Sequence, residues 1–119
     1  MNWYIARIVF QIVCGNGDHT PQFDEQVRMI TACSGAEAFN KARQIGLQEE
    51  ETFYNLKQQL VKWTFINVSE INKLSELADG IEICSRIEEV ENAENYIQFV
   101  NGKAEQILHK TSHPSFEPA

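Results

Sequence analysis

From Tyr4 to Cys14 every even position is apolar: Tyr4, Ala6, Ile8, Phe10, Ile12 and Cys14. The odd positions from Trp3 onward mix Trp3, Ile5, Val9 and Val13 with Arg7 and Gln11. A period of two, with one continuous apolar face and one mixed face, predicts a strand with a core below and partial solvent above. A second run, Phe23 to Cys33, follows a connection from Gly15 to Gln22 that carries Gly, Asn, Asp and Pro. Those are turn formers, so the two runs are expected to pair antiparallel. Pairing Cys14 with Phe23 sets Phe10 opposite Val27, Ile8 opposite Met29 and Tyr4 opposite Cys33, and the apolar faces coincide. A slip by one residue would turn Arg28 or Gln26 onto the core. In this register Arg7 and Arg28 share the mixed face with Val9 and Ile30.

Ser34 followed by Glu37 is a capping box, and Ala38, Ala42 and Ile45 repeat with helical spacing, Phe39 beside them. Gly46 stands where a helix would close in the left-handed conformation, with Leu47 placed for the accompanying apolar contact. Residues 48–58 read as a short acidic helix or an ordered loop anchored by Phe53 and Leu56. Leu60 to Val68 predicts a third strand, with Val61, Trp63 and Phe65 on one face and Leu60, Ile66 and Val68 on the other. Apolar on both sides, it belongs near the middle of the sheet. Ser69 to Leu77 fits a helical turn or an edge segment. After the Asp79-Gly80 turn, Ile81 to Ile87 alternates as a fourth strand.

Asn92 caps a last helix to about Lys110, with Tyr96, Phe99, Val100, Lys103 and Ile107 in one sector. Gly102 inside it costs about 1 kcal/mol relative to Ala, which predicts a kink or an early end. The fold class is therefore α+β: a four-stranded, mainly antiparallel sheet in β-β-α-β-β-α order with the helices on one face. It forms a single domain over 1–110, with a mobile tail at 111–119.

Composition changes this picture little, whereas charge changes it more. At 119 residues, 43% apolar and 23% charged, the chain is an ordinary globular one. No run approaches a membrane span, and the start has no basic segment of the kind that opens a signal peptide. The net charge of −7 is unevenly spread. Residues 1–48 hold four basic and four acidic groups; Glu76 to Glu94 holds seven acids against Arg86 alone. Such a surface repels nucleic acid and favours a basic partner. Cys14 and Cys33, at opposite ends of the expected ribbon, are about 33 Å apart, far outside the ~7 Å a disulfide tolerates. With Cys84 they read as small buried hydrophobes in a reducing cytoplasm.

Several of these segments together resemble one family. They are Trp3-Tyr4-x-Ala6-Arg7, Phe10-x-Ile12, Gln22-Phe23-Asp24-Glu25-Gln26, Glu37-Ala38-Phe39 with Ala42 and Ile45-Gly46, and Trp63-x-Phe65-Ile66-Asn67-Val68. The family is one of small bacterial proteins known only as a domain of unknown function, opening with a Trp-Tyr-x-Ala-Lys strand. Here Arg7 takes the place of that Lys and keeps its charge. The resemblance covers most of residues 3–100 and implies a small soluble bacterial protein. It supplies no activity, cofactor or catalytic residue.

Candidate chemistry is sparse. Asp18, His19, Asp24 and Glu25 form a His-plus-carboxylate cluster, but turn residues and a solvated strand end account for the same letters, and no spaced metal motif is present. His19 is the sole base in an ordered region, and no Ser or Cys stands in a nucleophile elbow near it; a Cys84–His19 pair is weighed far below a structural role for both. No metal, cofactor or catalytic residue is expected. Arg7 and Arg28 would grip an anionic ligand, or more readily pair with local carboxylates. Trp3, Ile5, Arg7, Val9, Arg28 and Ile30 form a candidate ligand or interface face; its apolar members, with Val13 and Ala32, are too many to leave in water, which marks an interface, with a homodimer favoured. Glu82, Glu88, Glu89, Glu91 and Glu94 form either a solvated surface or a docking surface for a basic protein. The leading reading is a non-catalytic interaction and oligomerisation module of the cytoplasm. Behind it stand an immunity-type inhibitor of a basic toxin, acting through the acidic surface, and an anionic-ligand binder or enzyme built on Arg7 and Arg28.

Overall fold

In the computed structural model, which describes residues 1–111, the opening ribbon forms as two long strands, β1 (Asn2–Cys14) and β2 (Gln22–Ala32). Helix α1 (Gly35–Gln48), strands β3 (Glu51–Tyr54) and β4 (Leu60–Leu74) and helix α2 (Ala93–Thr111) follow. The β-β-α-β-β-α order is the expected one, and every strand pair is antiparallel, in the sheet order β2-β1-β4-β3. The chain divides into two compact units, Met1–Ser85 and a second beginning at Arg86. The expected tail lies, apart from Thr111, outside the described residues.

Two strands are not the ones the pattern predicted. β3 falls inside the stretch read as helix or loop, and residues 81–87 form no strand. The length of β1 explains both. Its 13 residues need backbone partners on both sides, and β4 supplies them by running 15 residues, through the segment expected as a turn or edge. The alternation at Ile81, Ile83 and Ile87 then has no ladder to join. β3 is four exposed residues held by its pairing with β4 and by Phe53 stacked on Trp63, ring centroids 6.4 Å apart.

The ribbon register also differs. Phe10 faces Asp24, Ala6 faces Arg28 and Tyr4 faces Ile30. This is an odd slip from the expected pairing, so every β2 side chain changes face. Ile30 and Ala32 join the core; Gln26 and Arg28, expected to be kept off that side, take it. They do so with partners, which removes the penalty for placing polar groups there. Gln26 Nε2 donates to Asp24 Oδ2 at 2.7 Å, and Arg28 Nη2 to Gln26 Oε1 at 2.7 Å.

β4 solves its own patterning problem with two irregularities, one between Arg7 and Ile8 and one between Val9 and Phe10 of its partner β1. Each absorbs one residue of β4. Val61, Trp63, Phe65, Val68 and Ile71 thereby face the same side as Cys14, Ile12, Phe10, Ile8 and Ala6. Val68 is thus on the core side, not opposite Phe65 as strict alternation predicts.

α1 packs on that side. Ser34 accepts from the Glu37 N–H at 3.2 Å, which forms the cap, while the Glu37 carboxylate accepts from the N–H of Cys33, one residue before the cap, at 3.3 Å rather than from that of Ser34. The helix does not stop at Gly46. It runs to Gln48 with Glu49 as its C-cap, leaving Gly46 buried within it and Leu47 exposed. Ala38, Ala42 and Gly46 form the buried stripe. The core comprises Tyr4, Ala6, Ile8, Phe10, Ile30, Ala32, Ala38 and Ala42, flanked by Ile45, Trp63, Phe65, Val68 and Ile71.

In the second unit Asn92 caps α2, its Oδ1 accepting from the Asn95 N–H at 3.0 Å. The helix continues through Gly102 without interruption, and Lys103 Nζ lies 4.8 Å from the Phe99 ring centroid. None of its residues is buried. Among the described residues no helix is long and apolar enough to cross a membrane.

Candidate functional site

The sheet has one face under α1 and one without a helix of the first unit on it. The register assigns Trp3, Ile5, Arg7, Val9, Phe23, Val27 and Met29 to the open face. Ile5 and its diagonal neighbour Leu74 are buried there, and Val9 is half-buried. Toward β2 the surface is bare: Trp3 is 40% exposed, Phe23 55%, and Val27 and Met29 47% each.

Of the six residues expected to share this face, Trp3, Ile5, Arg7 and Val9 are together on it, while Arg28 and Ile30 point to the other side. The two guanidinium groups therefore do not converge. Arg7 Nε donates to Glu70 Oε2 across the sheet at 3.3 Å, on the open face. Arg28 lies 3.5 Å from Glu49 at the end of α1 and caps Gln26. Each cation has a local carboxylate, and no anion-gripping pair exists between them.

On the helix side the polar residues of β2 form a continuous run. Trp63 Nε1 donates to Asp24 Oδ2 at 3.2 Å, Gln26 donates to the same oxygen, and Arg28 closes the run onto Gln26. A shallow cavity of about 290 Å³ opens beside it, lined by Asp24, Gln26, Glu49, Glu51, Phe53 and Trp63. Sequence reading missed this run, because its members belong to β2, β4 and the end of α1. The signal available was the alternation Asp24, Gln26, Arg28, which marks one polar face of one strand.

His19 is a loop-closing residue. Its Nε2 accepts from the Cys14 N–H at 3.0 Å, so the ring proton sits on Nδ1, which donates to the Thr20 carbonyl at 2.9 Å. Both nitrogens are used. Asp24 is engaged by Trp63 and Gln26, and Asp18, Asp24 and Glu25 do not gather around the imidazole: among the described residues no group of three or more His, Cys, Asp or Glu side chains is placed to hold a metal ion. Replacing His19 with Ala should leave the Cys14 N–H without its acceptor and cost about 1 kcal/mol. Chemical denaturation reads this directly; an unchanged midpoint would show that the ring does not close the loop.

The cysteines are free, and none of them is fully buried as expected: Cys33 and Cys84 are exposed and Cys14 is half-buried. Cys33 lies just past β2 and Cys84 outside any strand, so the strand-core reasoning does not reach them. Cys14 Sγ sits among Asn55 and Gln59 of the β3–β4 turn, 3.4 Å from each. Of the acidic residues, Glu82 lines a surface depression of about 660 Å³ with Glu70 and Cys84 in the first unit. Glu88, Glu89, Glu91 and Glu94 belong to the second unit, all exposed, with Arg86 on Glu88 at 2.7 Å.

Residues 3–85 match the family model described as Domain of unknown function (DUF4288). The match ends at the residue that closes the first compact unit. No curated protein and no solved structure matches the chain. The strand-and-helix signature that carries the resemblance is thus the signature of the sheet and α1, and the chain belongs to the DUF4288 family.

Proposed function

We propose that this protein is a non-catalytic interaction module of the cytoplasm that works by self-association, as a homodimer. The observation that carries the reading is the bare apolar surface of Trp3, Phe23, Val27 and Met29, gathered at one side of the open face. Isolated apolar side chains are common on surfaces; four on one strip of a sheet mark a contact area. The full-length protein is expected to sediment as a dimer at tens of micromolar. Phe23→Lys with Met29→Lys should convert it to a monomer with little change in melting, since both side chains are exposed. A wild-type protein of strictly monomeric mass would overturn the self-association.

The exposed acids Glu88, Glu89, Glu91 and Glu94 of the second unit, set against Arg86, favour a second reading in which a basic protein docks on these acids, as an immunity-type inhibitor binds a basic toxin. Pull-down from native cells with and without salt separates the two: a basic protein released by salt supports the second reading.

A further inference from the structure

The sheet ends on β3 at one side and on β2 at the other. β3 is four residues long, and the part of β4 beyond its reach carries both bulges and has the Phe65 N–H donating to the Glu50 carboxylate at 2.8 Å. Short strands and bulges are how sheets blunt their edges. β2 has neither. Its 11 residues keep an unbroken register with β1 and include no Lys or Pro, and the charges it turns inward, Asp24 and Arg28, are taken up by Trp63, Gln26 and Glu49. Among the described residues, no hydrogen bond from outside the sheet reaches its backbone before Thr31, whose carbonyl accepts from Lys41 Nζ at 2.7 Å.

We propose that a second copy of this chain docks on that edge, β2 against β2 and antiparallel, about a twofold axis at Gln26, doubling the sheet. A symmetric pairing is defined by the residue that faces itself. Glu25 on the axis sets a carboxylate against its own copy, and Arg28 on the axis does the same for the guanidinium. Val27 on the axis sets Asp24 of one copy against the apolar Ile30 of the other. Gln26 on the axis sets Asp24 of each copy opposite Arg28 of the other and Phe23 of each opposite Met29 of the other, while Glu25, exposed on the open face, stands opposite Val27. Opposite charges and apolar pairs then fall together twice over, which is what stabilises a cross-strand contact.

Three features of the single copy fit this register. Asp24, Gln26 and Arg28 already form one hydrogen-bonded run, so two copies join their runs into a continuous polar ladder. Thr31 falls opposite Pro21 of the other copy, which has no N–H to give, and Lys41 supplies the donor instead. A groove of about 330 Å³ between β2 and α1, lined by Ile30, Lys41 and Ile45 among others, stands where Gln22 of the other copy arrives. The two open faces become one surface, with the Phe23 and Met29 pairs across its middle.

The inference rests on the self-association proposed above, and its test separates the two. In the full-length chain with the exposed Cys33 and Cys84 changed to Ser, Gln26→Cys places two thiols on the axis. Cross-strand partners have Cα atoms about 4.5–5.5 Å apart, inside the range a disulfide accepts. Under glutathione disulfide Gln26→Cys is expected to form a covalent dimer, and Val27→Cys, which faces Glu25 of the other copy, to do so at least about tenfold more slowly. In sedimentation, Asp24→Arg or Arg28→Asp alone should weaken the dimer by about tenfold, and the two together should restore it. If Val27→Cys cross-links as fast as Gln26→Cys, or the charge reversals leave a dimer unchanged, the edge pairing is wrong and self-association stands by another surface. If the wild-type chain is a monomer, both fall.

Discussion

Phe10→Ala is expected to lower the unfolding free energy of the first unit by about 3–5 kcal/mol, a large share of what a domain of this size possesses. Phe10 is fully buried and lies at the middle of β1, edge-on to Phe65 with ring centroids 6.1 Å apart. Backbone ladders to β2 and β4 hold β1 on both sides. The cavity left by the ring therefore has little freedom to collapse, which is the condition under which such truncations cost most. At about 4–8 °C per kcal/mol for a domain of this length, the melting temperature should fall by well over 10 °C. Phe10→Leu keeps most of the volume and should lose under about 1.5 kcal/mol. A Phe10→Ala protein that melts within a degree or two of wild type would show that the core is not centred on this ring.

Gly46→Ala should destabilise the same unit by about 1–3 kcal/mol, even though Ala is the better helix former by about 1 kcal/mol. A Cβ at this position would overlap the Phe65 ring at Cδ1 and Cε1. That ring is itself half-buried and packed on Phe10, so it has nowhere inexpensive to move. Gly102→Ala is the contrasting case: no atom lies within 4 Å of the added methyl, and the site is an exposed helix interior. There the propensity term acts alone, and α2 should gain about 1 kcal/mol, seen as increased helicity by circular dichroism. Adding Phe65→Leu to Gly46→Ala should recover part of the loss, a coupling expected only of side chains in contact. Equal effects at the two glycines would refute the close approach of α1 to β4.

The two glycines also show where sequence reading works and where it stops. Both look alike along the chain, and the one taken for a helix terminator is the one buried against a ring. The same holds for Arg7 and Arg28. Their placement on one face depended on a register chosen to maximise apolar overlap. The structure accepts less apolar overlap because Asp24, Gln26, Arg28, Trp63 and Glu49 satisfy one another. A partner set drawn from three elements is invisible to a pattern that looks only along one strand. β3 was illegible for a related reason: its four residues are exposed and carry no periodicity, and only the β4 edge makes them a strand.

Local patterns by themselves determined the α+β class, the long first strand, the Ser34 cap and the Asn92 helix. Each of these expresses an interaction within about one turn or one strand length, where spacing along the chain equals spacing in space. Tertiary structure alone decided which β2 residues face the core, how β4 bulges to keep five apolar residues on one side, and that two arginines stand back to back across the sheet. Those outcomes come from competition between elements for partners, and the energy of a pairing does not exist until both members are present.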